Sequence, residues 1–262
     1  MKKLDIILRT QDDFGRQVHV IGTRGMPEGT TKQDIVLRCA ESLAAAIKSV
    51  DIGVVISLLI IDDHSTQETQ KKLIDIFNDI NIINFIFLGV RHLIGKGNNK
   101  SMVEWYTTAK SSKADAVYLI EDDYLHEINA LSESIWAFDE FTNKLGYAPS
   151  LFLMDDSDNY FPDWLEPCRV VPGKSILWRT NSITTGTMFV TPKFINENWD
   201  PIYEFAYYYG IKPGLSEETL FRPMWTQNTV LFTPLTMLAY HLCGKNHPVY
   251  DERPLWESFK VI

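Results

Sequence analysis

The chain is poor in cysteine, in uninterrupted apolar runs and in positive charge. Its three cysteines, Cys39, Cys168 and Cys243, lie far apart, are odd in number and form no C-x-x-C pair, which argues against a disulfide framework or a structural zinc knuckle. They read as buried thiols in a reducing compartment. The longest apolar stretch, 52–61, is broken by Gly53 and Ser57 and falls far short of the ~20 residues of a membrane helix, so it reads as a buried strand. The start turns charged too soon for the ~7 to 15 apolar residues of a secretory signal, and no lipidation box stands at the other end. The expected location is the cytoplasm, with no transmembrane segment. Basic side chains number 25 against 34 acidic ones, a formal charge of −9. That balance speaks against a nucleic-acid partner, and any anionic ligand needs a local countercharge.

What is present is the material of a large core: 262 residues, 45% hydrophobic and 12% aromatic. In the first half β-branched runs alternate with helical periodicity, the pattern of parallel strands joined by crossover helices. Strands are expected at 4–8, 54–61, 82–88 and 116–120. Helices are expected through Val36, Ala40, Leu43, Ile47 and Val50, then over 67–78 and 98–110. Residues 11–32 make a longer loop than the usual ~4 to 6 residues. From Tyr147 onward aromatics and prolines thicken and the alternation weakens, yet no linker or internal repeat sets this half apart. It is expected to complete the same sheet and build a pocket on it.

Glu121-Asp122-Asp123 ends a buried strand, the place where ligands bind in open α/β sheets. Alternation along a strand would turn Glu121 and Asp123 to one side and Asp122 to the other. Such hard oxygen ligands suit Mg2+ or Mn2+; the bland alternative is the acidic first turn of a following helix. A second acidic pair, Asp62-Asp63, ends the strand before it in a turn that Ser65 or Thr66 can cap. Between the two lies Gly95-Lys96-Gly97-Asn98 directly before a helix, offering backbone N–H groups and a cation to a ligand, without Walker A spacing.

Ile7-Leu8-Arg9-Thr10, the D-D-x-S run at Asp62 to Ser65, the turn at Gly95 to Asn98 and the acidic strand end Glu121 to Asp123 follow one another as an ordered set. The set resembles the family 2 glycosyltransferases of the GT-A fold, across roughly the first 125 residues. The resemblance implies a Rossmann-like, mostly parallel sheet with helices on both faces, a three-layer α/β/α sandwich. It implies one domain, with a nucleotide-sugar half at 1–125 and an acceptor half at 126–262. Thr10 and Asp63 would contact the nucleoside base, Asp62 would support that loop, and Lys96 would lie near the diphosphate. Asp123 would ligate the cation, while Glu121 or Asp122 would reach the ribose or the metal's shell. Glu121 stands where the family has aspartate, and the long opening loop leaves Arg16 and Arg24 without an assigned role.

In the second half, 184–190 looks like the strand behind the donor sugar, with Gly186 admitting the sugar to the backbone. Glu217 and Glu218 are similar to the family's acidic helix start, whose carboxylate is the catalytic base; Glu218 ranks first and Glu217 second, with Ser216 as helix cap the bland alternative. Asp155, Asp156 and Asp158 form another acidic strand end that could approach an acceptor. His241 or His247 could be a further metal ligand. The rings of Trp199, Tyr203, Phe205, Tyr207, Tyr208, Tyr209 and Trp225 could stack on sugars, although most are expected in the core.

The expected activity is metal-dependent transfer, with inversion, from a UDP-, GDP- or dTDP-sugar to a hydroxyl on a carbohydrate or related acceptor. Two rivals stand beside it. One is a sugar-phosphate nucleotidyltransferase, distantly echoed in Gly22-Thr23-Arg24-Gly25-Met26-Pro27. The other is an inactive nucleotide- or carbohydrate-binding protein of the same fold.

Overall fold

The computed structural model describes residues 1–12, 29–156, 160, 167–182, 184–227, 229–242 and 253–259. Arg16, Arg24, the segment 22–27, Asp158, Cys243 and His247 lie outside the described residues.

The chain opens with β1 (Lys3–Thr10), α1 (Lys32–Lys48), β2 (Val55–Asp62), α2 (Gln67–Asn78), β3 (Phe85–His92), α3 (Asn98–Ser111) and β4 (Ala116–Glu121). It continues with β5 (Tyr124–His126), α4 (Ala130–Leu145), β6 (Ser150–Leu151), β7 (Val170–Pro172), β8 (Leu177–Asn181) and β9 (Met188–Val190). Then come α5 (Pro192–Glu197), α6 (Trp199–Tyr208), α7 (Glu217–Gln227), β10 (Leu231–Pro234), β11 (Ala239–His241) and α8 (Arg253–Ser258). Among the described residues nine strands form one sheet in the order β3-β2-β1-β4-β9-β6-β10-β8-β7, in which β9 and β8 run against the rest. β11 and β5 form a separate antiparallel pair.

Handedness distributes the helices. The chain steps from β1 to β2 to β3 in one direction and then returns past β1 to β4. Right-handed crossovers therefore place α1 and α2 on one face and α3 on the other. α4 packs with α1, and α5 and α6 pack with α3, so helices cover both faces in three layers. The inner strands are buried on both faces, and Leu4, Ile6, Ile56, Leu58, Ile60 and Val117 have no exposed surface to speak of.

Strand 82–88 of the sequence reading moves to Phe85–His92. Residue 84 ends a turn in which the Asn84 amide donates to Val54 O at 2.7 Å, so pairing with β2 starts at Phe85. The strand then outlasts the apolar run because a bulge opposite Leu58 and Leu59, with Gly89 at φ 96°, carries the ladder on to His92. The cysteine expectation also changes: Cys39 is buried, whereas Cys168 is exposed.

Candidate functional site

The chain reverses direction across the sheet between β1 and β4, and a cleft opens there beyond the carboxyl ends of the strands. The register explains its lining. Thr10 lies opposite Asp62, and Arg9 opposite Glu121, so three neighbouring strands deliver their last residues to one rim. The resulting pocket, about 270 Å³, is lined by Arg9, Thr10, Gln11, Lys32, Asp63, Asn98, Ser101 and the three acids Glu121, Asp122 and Asp123.

Most of its polar groups are already engaged. The Arg9 guanidinium donates to Glu121 and Asn98, and at 3.3 Å to Ser101 Oγ, and it lies 5.3 Å from the Trp105 ring. Burial works against its charge, but Glu121, together with Asp122 and Tyr106, holds the Arg9 pKa above the ordinary value. Lys32, the first residue of α1, reaches Asp122 at 2.6 Å, and the backbone N–H of Gln11 donates to the same carboxylate at 2.7 Å. Burial still raises the Asp122 pKa, with Lys32 opposing it and Asp123 reinforcing it. Thr10 is an exception. It is 1% exposed, and its hydroxyl has no hydrogen-bond partner among the described residues.

The acids do not begin a helix. Asp122 and Asp123 turn the chain into β5, so strand alternation stops at Glu121 and all three side chains line the pocket. Asp62 and Asp63 are both buried. Asp62 accepts from Ser65 N and the Gln70 amide, and faces His92 Nδ1 at 3.1 Å. Asp63 accepts from Gly97 N at 3.0 Å and faces His64 Nδ1 at 3.0 Å, so it anchors the glycine turn. Gly97 takes φ 135°, a conformation that side chains rarely adopt. Thr66, rather than Ser65, caps α2. Lys96 is exposed on that turn and does not line the pocket; among the described residues Arg9 and Lys32 are the cations that do. Neither had a role in the sequence reading: Arg9 stood only as one residue of the strand end Ile7-Leu8-Arg9-Thr10, and Lys32 carried no motif.

A second cluster adjoins the acids. β9 runs antiparallel to β4 with Met188 opposite Leu119, which sets residues 184–187 beside the end of β4. Gly186 N donates to Glu217 Oε1 at 2.7 Å, and a Cβ on Gly186 would stand 3.3 Å from that oxygen, from Trp105 and from the Tyr106 hydroxyl. The Tyr106 hydroxyl is buried without a hydrogen-bond partner among the described residues. Burial, then repulsion from Glu121, pushes the Glu217 pKa up to about 7, against the Gly186 N–H, His241 and Arg9. The two neighbouring glutamates meet different surroundings. Glu218 points outward and pairs with Arg222 at 3.2 Å one helical turn on, while Glu217 faces the acids. Ser216 Oγ does accept from Thr219 N at 3.1 Å, so capping and an inward carboxylate coexist.

The β5–β11 pair sets His241 opposite Tyr124, stacked at 4.7 Å, with His241 Nε2 3.3 Å from Asp123 Oδ2. A carboxylate beside an imidazole is a donor set that suits Mn2+ or a similar divalent cation. Among the described residues no group of three or more His, Cys, Asp or Glu is gathered as a metal site, and Glu121 and Asp122 are held by Arg9 and Lys32. Asp155 is fully buried in a different cluster, with Arg179 and the Tyr160 hydroxyl on its carboxylate, and Asp156 follows it. Trp225 and Phe205 are core residues, whereas Tyr203, Tyr207 and Tyr208 are exposed.

No family model and no curated protein sequence matches the chain. Solved structures do. Residues 1–349 of TarS from S. aureus match with a TM-score of 0.54 at 14% identity, over 92% of this chain and 60% of that one. The mannosyltransferase PcManGT from Pyrobaculum calidifontis, in complex with GDP-Man and Mn2+, matches with a TM-score of 0.52 at 10% identity, over 93% of this chain and 58% of that one. The chain thus spans about 60% of the first of these structures. At such identities the likeness is one of fold, and the fold is the three-layer α/β/α arrangement expected from the sequence.

Proposed function

We propose that the chain is a nucleotide-sugar glycosyltransferase of the family 2 type, moving a sugar from a UDP-, GDP- or dTDP-sugar to a hydroxyl of a carbohydrate or related acceptor, with inversion. The observation that carries this reading is the pocket at the reversal point, where the unpartnered Thr10 hydroxyl and Asp63 stand across from Glu121, Asp122 and Asp123. A mannosyltransferase of the same fold that binds GDP-Man and Mn2+ supports it.

In this reading residues 1–125 hold the donor and 126–262 the acceptor, within one domain. Thr10 and Asp63 receive the nucleoside, with Asp62 bracing the turn, and Arg9 and Lys32 offset the charge of the diphosphate in the role expected of Lys96. Asp123 and His241 would hold a Mn2+ or Mg2+ ion, with Glu121 and Asp122 at its margin. When bound, such an ion supplies Lewis-acid stabilisation to the departing diphosphate. Glu217 replaces Glu218 as the proposed base: it takes the proton of the acceptor hydroxyl as that oxygen bonds to the anomeric carbon. The bond from that carbon to the phosphate oxygen breaks, and the nucleoside diphosphate leaves with the electron pair.

Thermal unfolding with UDP, GDP or dTDP in the presence and absence of Mn2+ tests the reading. A nucleotide at about a hundred times its Kd stabilises by about 2.7 kcal/mol, so the Tm should rise by several degrees with metal, and Asp123→Ala should abolish the metal-dependent part. A chain that answers to none of the three, or an Asp123→Ala variant that answers like the parent, would overturn it. Pyrophosphate release from a nucleoside triphosphate and sugar phosphate would point to a nucleotidyltransferase instead.

A further inference from the structure

We propose that the outward face of α6 is a stacking platform for a carbohydrate chain, so that the acceptor is an oligosaccharide or longer glycan whose end enters the site beside Glu217. The inference rests on the glycosyltransferase reading and adds the acceptor class to it.

A surface helix ordinarily turns an apolar stripe inward and charged residues outward. α6 meets the first condition with Ile202, Phe205 and Ala206, all buried. Its outer side carries Asp200 and Glu204, and beside them a row of rings. Trp199, Tyr203 and Tyr207 recur every four residues, and their rings meet in series at 5.6 Å and 6.0 Å. Tyr203 is 41% exposed, Tyr207 50% and Tyr208 42%. Tyr203 and Tyr207 are therefore half-exposed rings in series with hydroxyl edges, and the partly buried Trp199 stands at one end of the row.

The ladder leads to the pocket. Asn99 donates its side-chain N–H groups to the carbonyls of Ala206, Tyr207 and Tyr209, at 2.8 Å for the last, while the adjacent Asn98 lines the pocket. Tyr209, the residue at which the helix ends, packs edge-on against Phe205 at 5.0 Å.

The chemistry of the face selects its occupant. Glu204 and Lys212 neutralise each other at 2.5 Å, and the Lys110 ammonium lies 3.9 Å over the Trp199 ring. The row thus lacks the basic cluster that an anionic membrane surface requires. Tyrosine rings present flat apolar faces to the C–H side of a pyranose and hydroxyls to its oxygens. Because a ladder engages successive sugars, occupancy gains with chain length.

Binding to a printed array of neutral oligosaccharides, graded from one to six sugars in each series, tests the proposal with the full chain. The parent should retain at least one series, tightening by about tenfold or more from one sugar to four. The Tyr203→Ala, Tyr207→Ala double variant should lose that dependence on length, and the corresponding double change to phenylalanine should keep it. Both variants should answer to nucleotide and Mn2+ in thermal unfolding as the parent does, which separates failure here from failure of the transferase reading. The platform is overturned if no glycan of any length is retained, or if the alanine variant retains them equally. It is overturned also if the parent sediments as a dimer that the alanine variant dissolves, since the face would then join two copies.

Discussion

Thr10 sets folding against binding within one side chain. A buried hydroxyl without a partner costs about 1 to 3 kcal/mol relative to an apolar group of the same shape, and Thr10 Oγ1 is such a group. Thr10→Val should leave the fold as stable as the parent or more so, while weakening nucleotide binding by about tenfold, the worth of one hydrogen bond. Parallel melting curves and calorimetry would check it, and a loss of stability without a loss of affinity would contradict it. Glu217 makes the same point through pH. Its pKa near 7 lies above the ordinary 4.5, so the fold favours its protonated form. Its contribution to stability is therefore complete below about pH 4.5 and is lost as pH rises through about 7. Glu217→Gln should raise the Tm at pH 8, by about 2 to 4 °C per kcal/mol relieved, and leave it unchanged at pH 4. The same change should lower turnover about a hundredfold or more, and in the parent turnover should climb as pH passes through 7. Glu121, Arg9, His241, Tyr106, Tyr124 and Tyr209 face this carboxylate or share its field, so their replacement should move that limb. Glu218→Gln, on the solvent side of α7, should do neither.

At the scale of elements, legibility followed length. The strands and helices of the first half carry long periodic patterns, and α2 appears with the bounds its sequence suggests. Thr10, Asp63 and the three acids were legible because each ends a strand, and parallel strands present their ends together. Arg9 and Lys32 were not, since the importance of Arg9 comes from lying opposite Glu121 across the ladder, and that of Lys32 from where α1 begins. Nor can a sequence separate Glu217 from Glu218. They are neighbours in a first turn, about 100° apart around the axis, and only packing against Gly186 decides which turns inward. The β5–β11 pair was hidden for a further reason: strands of three residues have no period to read. One element-level link is open to test. Asn99 ties the start of α3 by hydrogen bonds to the final carbonyls of α6. Asn99→Ala should lower stability by about 1 to 3 kcal/mol and speed amide exchange at residues 206–212, with α1 and α2 unaffected. Uniform exchange across all helices would argue against a local link.

For the molecule as a whole, charge sets the approach of a ligand. The chain carries −9, and among the described residues the pocket itself holds Asp63, Glu121, Asp122 and Asp123 against Arg9 and Lys32. A nucleoside diphosphate therefore meets repulsion both far away and close by. Raising ionic strength shortens the reach of that repulsion, to about 8 Å at 0.15 M. The association rate of a nucleoside diphosphate should accordingly rise with salt, and most clearly without Mn2+, in stopped-flow measurements. A rate that falls with salt would mean that Arg9 and Lys32 govern the encounter. The pairing of β11 with β5 carries a consequence in time. Domains acquire structure as the chain leaves the ribosome, at about 5 to 20 residues per second. Asp123 is made early, but the partner that stands 3.3 Å from it, His241, arrives 118 residues later, the difference of the two positions. A nascent chain can thus present a nearly complete sheet while lacking the imidazole beside its central acid, and the site closes only when residues 239–241 dock. In the proposed reading, synthesis itself delays the chemistry until almost the whole fold is in place.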